Sequence, residues 1–117
     1  MQFQTHAAEN DTLTSLDLSW NHLRRKGAAA VCDSLRRNQT LTSLNVSWNG
    51  FHLDGSRALR RALPHNTSLT QLDISSNRLT EECVREIMVG LKRNTALKTL
   101  KVVDNYRYTI NIKKEMM

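Results

Sequence analysis

The sequence predicts an α/β solenoid, a horseshoe arc with parallel strands on its concave face and helices on its convex face. Three observations lead there. Leu13, Leu41, Leu69 and Leu97 recur every 28 residues, opening the segments LTSLDLSWN, LTSLNVSWN, LTQLDISSN and LKTLKVVDN. All four fit L-x-x-L-x-[LVI]-x-x-N without a gap, and in-register self-similarity of this kind is the mark of a repeat architecture. The first three frames are each followed by apolar residues at the spacing of a helix face: Leu23, Ala28, Val31 and Leu35, then Phe51, Leu59 and Leu63, then Leu79, Val84, Ile87 and Leu91. Finally, parallel strands lie about 4.8 Å apart whereas packed helices need about 8–10 Å, so a stack of such units has to curve.

Each unit is expected to hold a strand of about four residues and a helix of about 11–13, neither able to bury its apolar side alone. The chain divides into repeats 13–40, 41–68 and 69–96, with a fourth strand over 97–105. Residues 1–12 have the register of the second half of a preceding helix: Asn10 aligns with Asn38, Asn66 and Asn94, and Phe3 with Val31, Leu59 and Ile87. The fourth frame has no helical pattern after it. Tyr106, Tyr108, Ile110 and Ile112 alternate with Arg107, Thr109 and Asn111, which is strand periodicity within a divergent tail or cap at 106–117. Such a layout fits either a stack closed by an edge strand or, the favoured expectation, a shortened piece of a longer solenoid.

With 117 residues, 39% hydrophobic and 24% charged, the chain suits one small globular unit. No apolar run approaches a membrane span. Met1 to Asp11 carry neither a basic stretch nor an apolar one, so a secretory signal is not expected, and the expected location is cytoplasmic or nuclear. Cys32 and Cys83 fall on helices two repeats apart, about 16–20 Å, and are expected to be buried free thiols, with Cys32 in a half-buried register. The sequons at Asn10, Asn38, Asn45 and Asn66 mostly share one structural register, so glycosylation is not expected.

The motif wording resembles the leucine-rich repeat family, in particular its 28-residue ribonuclease-inhibitor-like subclass. The phrase LSWNHLRRKGA is similar to the leucine-rich repeat-containing protein 74 group. That resemblance covers Leu13 to Asn105. It implies a leucine-rich-repeat solenoid and a protein-binding surface, as in ribonuclease inhibitor, the sensor ends of NOD-like receptors, the tropomodulin cap region and the Ran GTPase-activating protein. These relatives differ in function, so the fold alone does not settle it.

Within each frame the residues between the core leucines face the concave surface. Ser15, Ser43, Gln71 and Thr99 form one row, and Asp17, Asn45, Asp73 and Lys101 a second. Beyond the strands come Trp20, Trp48, Ser76 and Asp104, then His22, Gly50, Arg78 and Tyr106. The two tryptophans share a register and should lie side by side, about 5 Å apart at their backbones. They are either a binding anchor or a stacked pair covering loop backbone. The expected partner-binding set is Asp17, Trp20, His22, Asn45, Trp48, Asp73, Arg78, Lys101, Asp104 and Tyr106.

The frame asparagines Asn21, Asn49, Asn77 and Asn105 are expected to be structural, satisfying buried loop amides and carbonyls. The net charge is +6, and most basic residues of the first two repeats are assigned to the helical side: Arg24, Arg25, Lys26, Arg36, Arg37, Arg57, Arg60 and Arg61. Without interleaved aromatics these read as a solvated helix surface more readily than as a nucleic-acid footprint. No metal-ligand spacing, catalytic triad, glycine-rich phosphate loop or paired carboxylate stands out. The expectation is a non-enzymatic scaffold with a protein partner and no cofactor or metal. The other readings are a fragment without independent function, a GTPase regulator using Arg78, and weak nucleic-acid binding. Uncovered solenoid ends would permit end-to-end association.

Overall fold

The computed structural model describes residues 12–105 and 108–113. Chain order runs β1 (Ser15–Asp17), α1 (Arg24–Ser34), β2 (Ser43–Asn45), α2 (His52–Ala62), β3 (Gln71–Asp73), α3 (Glu81–Lys92), β4 (Thr99–Asn105) and β5 (Tyr108–Lys113). The helices contain 11, 11 and 12 residues, and the first three strands only three each, one shorter than expected. A strand stops early because the residue that ends it bends the chain: Asp17, Asn45 and Asp73 each accept the amide of the residue two positions on. Such local side-chain bonds compete with the ladder.

Strands β1 to β4 pair in parallel, in sequence order and in strict 28-residue register: Leu16 opposite Leu44, Leu44 opposite Leu72, Leu72 opposite Leu100. This is the parallel-sheet solenoid that the repeat implies. β5 then pairs antiparallel with β4, Leu100 opposite Ile112 and Val102 opposite Ile110. The preceding half-helix expected over residues 1–12 and the tail at 114–117 lie outside the described residues, Thr12 excepted.

The core lies between sheet and helices. Leu44, Leu72 and Leu100 meet the row Leu18, Val46, Ile74 and Val102, and behind them Val31, Leu35, Leu59, Leu63, Ile87 and Leu91 come from the helices. Leu13 and Leu16 pack on this core but remain partly exposed. Cys32 and Cys83 are free and buried; Cys32 is completely so, where its register had suggested half-burial. Arg60 and Met88 can share that register because they are long enough to reach outward past the helix surface.

Two glycines act differently. A Cβ on Gly55 would come within 2.5 Å of the Phe51 ring, so this glycine makes room for a large aromatic at the start of its own helix and not for a neighbouring helix. Cys83 is tolerated in the same register because Leu79 stands where Phe51 does. Gly90 is a point of helix contact, packed on the backbone of Arg60.

Two asparagine ladders hold the edges. Asn49 Nδ2 donates to the carbonyls of Leu18, Val46 and Ser47, and its Oδ1 accepts from the amides of Asn21 and Leu23. Asn77 repeats the pattern, donating to Val46, Ile74 and Ser75 and accepting from the Asn49 amide at 2.7 Å. At the opposite edge, Asn66 Nδ2 donates to Leu35 and Asn38 carbonyls while Asn94 Nδ2 donates to those of Leu63 and Asn66. The Oδ1 atoms of Asn38, Asn66 and Asn94 accept from Leu41, Leu69 and Leu97. The sequence announced the first ladder at Asn21, Asn49 and Asn77, the side chain of Asn105 lying outside the described residues, while the second was legible only as a register of asparagines after each helix.

Candidate binding face

The strand ends build the site. After Asp17 and Asn45 the chain turns sharply, and Ser19 and Ser47 tie it down: each hydroxyl donates to the preceding Oδ1, at 2.6 and 2.7 Å. Hydrogen bonds from the Ser19 hydroxyl and amide hold the Asp17 carboxyl below the usual carboxylate range. Asp17, Asn45 and Asp73 therefore act first as turn clamps, a role that their place in the expected partner-binding set does not include. Lys101 completes their row on the sheet surface. The side chain of Asp104 and the whole of Tyr106 lie outside the described residues.

Past the clamp the backbone enters the left-handed region. Trp20 (φ 62°), Trp48 (61°) and Ser76 (55°) share one such position; His22 (51°), Gly50 (65°) and Arg78 (60°) share the next. Arg24 (54°) and His52 (51°) then open α1 and α2 in the same conformation, their amides donating to the carbonyls of Asn49 and Asn77. Left-handed backbone is costly for large L-residues. It turns the indoles outward. Trp20 and Trp48 stack with centroids 4.1 Å apart and planes 9° from parallel, yet stay 62% and 46% exposed. Ser76 adopts the same backbone without an aromatic ring, so the loop itself does not require tryptophan.

The eight expected residues whose side chains are described do not form a single strip. Asn45, Asp73 and Lys101 line a shallow depression on the concave sheet, with Asp17 next along the same row. Trp20, His22, Trp48 and Arg78 instead line a groove at the edge of the arc, where strands turn toward helices. Arg24, Arg25, Lys26 and His52 line that groove too: the three cations stand on a helix as expected, but on its first turn, at the edge of the arc. Their signal was present: three consecutive cations at the start of a helix with no acid in its first turn.

Several arginines of the helical side form a solvated, paired surface. Arg60 meets Glu86 at 2.6 Å, Arg57 reaches the same carboxylate at 3.7 Å, and Arg61 lies 3.4 Å from Asp33. Burial pushes the Cys32 thiol well above its ordinary range, which leaves it unreactive. Among the described residues no group of three His, Cys, Asp or Glu side chains could hold a metal, and no helix is long and apolar enough to cross a membrane.

Comparison with known proteins agrees with this architecture. Residues 9–32, 37–59 and 65–88 match the Leucine Rich repeat family; the chain belongs to the leucine-rich repeat family. Among solved structures it is similar to leiomodin-1 actin-binding site 2, with 29% sequence identity and a TM-score of 0.80 over 91% of this chain. It also shares the fold of the Caenorhabditis elegans tropomodulin C-terminal domain, at 14% identity and a TM-score of 0.69 over 89% of this chain. The chain spans 62% and 64% of the length of those two domains. No curated protein matches it significantly.

Proposed function

We propose that this chain is a non-enzymatic protein-interaction scaffold that holds its partner on the strand side of the arc, across the concave sheet and the tryptophan edge. The observation carrying this reading is the stacked, exposed Trp20–Trp48 pair on left-handed backbone. Large rigid aromatics presented outward are preferred interface anchors, and a loop that also accepts Ser76 has no folding need for them. The unbroken 28-residue period supports the ribonuclease-inhibitor-like subclass, and the wording LSWNHLRRKGA supports a likeness to the leucine-rich repeat-containing protein 74 group. Two buried free thiols fit a reducing, cytoplasmic location.

Site-specific photo-crosslinking in cells tests this. Benzoylphenylalanine in place of Gln71, on the concave row, should capture a discrete protein, whereas the same group replacing Arg85 on the exposed helical side should not. Capture from position 85 alone, or from neither, overturns the reading. With that partner purified, a folded Trp20→Ala/Trp48→Ala variant should bind at least about thirtyfold more weakly.

Actin is the second, narrower reading, favoured by the likeness to leiomodin-1 actin-binding site 2. Co-sedimentation with filaments and a fluorescence titration of monomeric actin check it, and no binding at micromolar concentrations ends it.

A further inference from the structure

We infer that the edge groove is a docking site for an acidic protein segment carrying an apolar residue, a reading that deepens the scaffold proposal and rests on it. The groove combines the Trp20–Trp48 ridge with Arg24, Arg25, Lys26 and Arg78. Among the described residues no carboxylate lines it, and none forms an ion pair with these four cations. On the helical face Arg57, Arg60, Arg61 and Arg85 each meet a glutamate or aspartate, and Arg36, Arg37 and Arg93, which form no ion pair among the described residues, stand at helix C-termini, where a cation is favoured without one.

The placement of the cations also runs against the fold's own interest. The start of a helix carries partial positive charge and favours acids. Helix α3 follows that rule with Glu81 and Glu82, and α2 with Asp54. Helix α1 has Arg24, Arg25 and Lys26 there and no acid. Three like charges at a positive helix end repel one another and the helix, and they are relieved when a polyanionic segment lies across them. A residue sequence that breaks a local rule without a compensating internal contact marks a surface completed by something else.

The aromatic ridge decides between polyanions. Trp20 and Trp48 already cover each other's inner faces at 4.1 Å, so no base can insert between them. What remains is a continuous apolar shelf beside the cations, suited to one apolar side chain flanked by carboxylates. Acidic peptide is therefore favoured over single-stranded nucleic acid, whose binding grooves present separate aromatic platforms to successive bases.

Both tryptophans of the chain stand in this groove, so intrinsic tryptophan emission reports on it alone. The test is a fluorescence titration of the full chain with a short peptide of glutamates flanking a central leucine. Saturable quenching or shift is expected, weakening as salt rises. The Arg25→Glu/Lys26→Glu variant should bind about tenfold more weakly or worse. It should also stay folded by circular dichroism, since acids suit a helix start. Arg78→Glu, on a different repeat, gives an independent loss. An equal response to the same peptide with glutamine in place of glutamate overturns the proposal, as does tighter binding of oligothymidylate. If the acidic peptide fails while crosslinking from position 71 still captures a protein, only the groove's chemistry falls and the scaffold reading stands.

Discussion

Gly90 lies so close to Arg60 that a Cβ built on it would stand 2.8 Å from the Arg60 Cα and 2.9 Å from its carbonyl oxygen. The obstacle is backbone, which cannot rotate away. Helices α2 and α3 approach through this gap, and Leu59 and Leu91 are buried as a result. Gly90→Ala should therefore destabilise the fold by about 1–3 kcal/mol, although alanine is the better helix former. A urea melt checks it against Val89→Ala, an exposed neighbour expected to change stability by less than about 0.5 kcal/mol.

The frame asparagines should not be equivalent. Asn77 is fully buried and bonds three carbonyls and one amide, whereas Asn21 is exposed and its side chain donates to the carbonyls of Leu18 and Ser19. Removing Asn77 orphans several buried polar groups, each costly to leave unpaired, so Asn77→Ala should cost at least about 2 kcal/mol. Asn21→Ala should cost about 1 kcal/mol or less because water replaces its side chain. Equal losses in parallel denaturant melts would contradict a ladder graded by burial.

Truncation of the strand core should be severe. Leu72 sits between Leu44 and Leu100 in the parallel ladder and is 2% exposed. Leu72→Ala should lose about 2–5 kcal/mol. Thermal and urea unfolding of that variant would show either a large shift in midpoint or no cooperative transition.

The tryptophan pair should matter little to folding. Trp48→Ser copies the residue that the third repeat uses on the same backbone. A double-mutant cycle with Trp20→Ser should return a coupling of about 0.5–1.5 kcal/mol, the worth of an aromatic pair beyond its area. A much larger coupling would make the pair a structural keystone and weaken its reading as an anchor.

Acid sensitivity should trace in part to Glu86. The hydrogen bond from Arg60, helped by the nearby Arg57 charge and opposed by partial burial, holds its carboxyl below the usual range. A carboxyl lowered on folding stabilises the native state above its unfolded pKa, and that contribution disappears as pH falls through the lower native value. Glu86→Gln should flatten the acid limb of stability against pH. Both arginines are half exposed, so the effect should be small and shrink further in high salt.

Much of this protein could be read before any coordinates. The rows Ser15–Ser43–Gln71–Thr99 and Asp17–Asn45–Asp73–Lys101 follow from counting in steps of 28 residues, and they are the observed ladder. The adjacency of Trp20 and Trp48 followed from the same count. A strictly periodic chain allows this because each residue's neighbours are its own equivalents in the next repeat. Arg24, Arg25 and Lys26 were harder: their helical sequence context is unambiguous, but which side of the arc a helix start faces depends on the loop that leads into it.

That loop is what the linear pattern leaves undetermined. The left-handed backbone at Trp20, His22 and Arg24, the close approach at Gly90 and the room made for Phe51 by Gly55 are set by three-dimensional packing, not by periodicity. By itself the sequence determined the repeat, the strand register and the core, because apolar periodicity and burial dictate one another along a stacked chain. Only the tertiary structure decided that the tryptophans and the groove cations share one edge of the arc, because the direction a side chain takes there depends on backbone torsions held by hydrogen bonds that the loop amides donate to the following repeat.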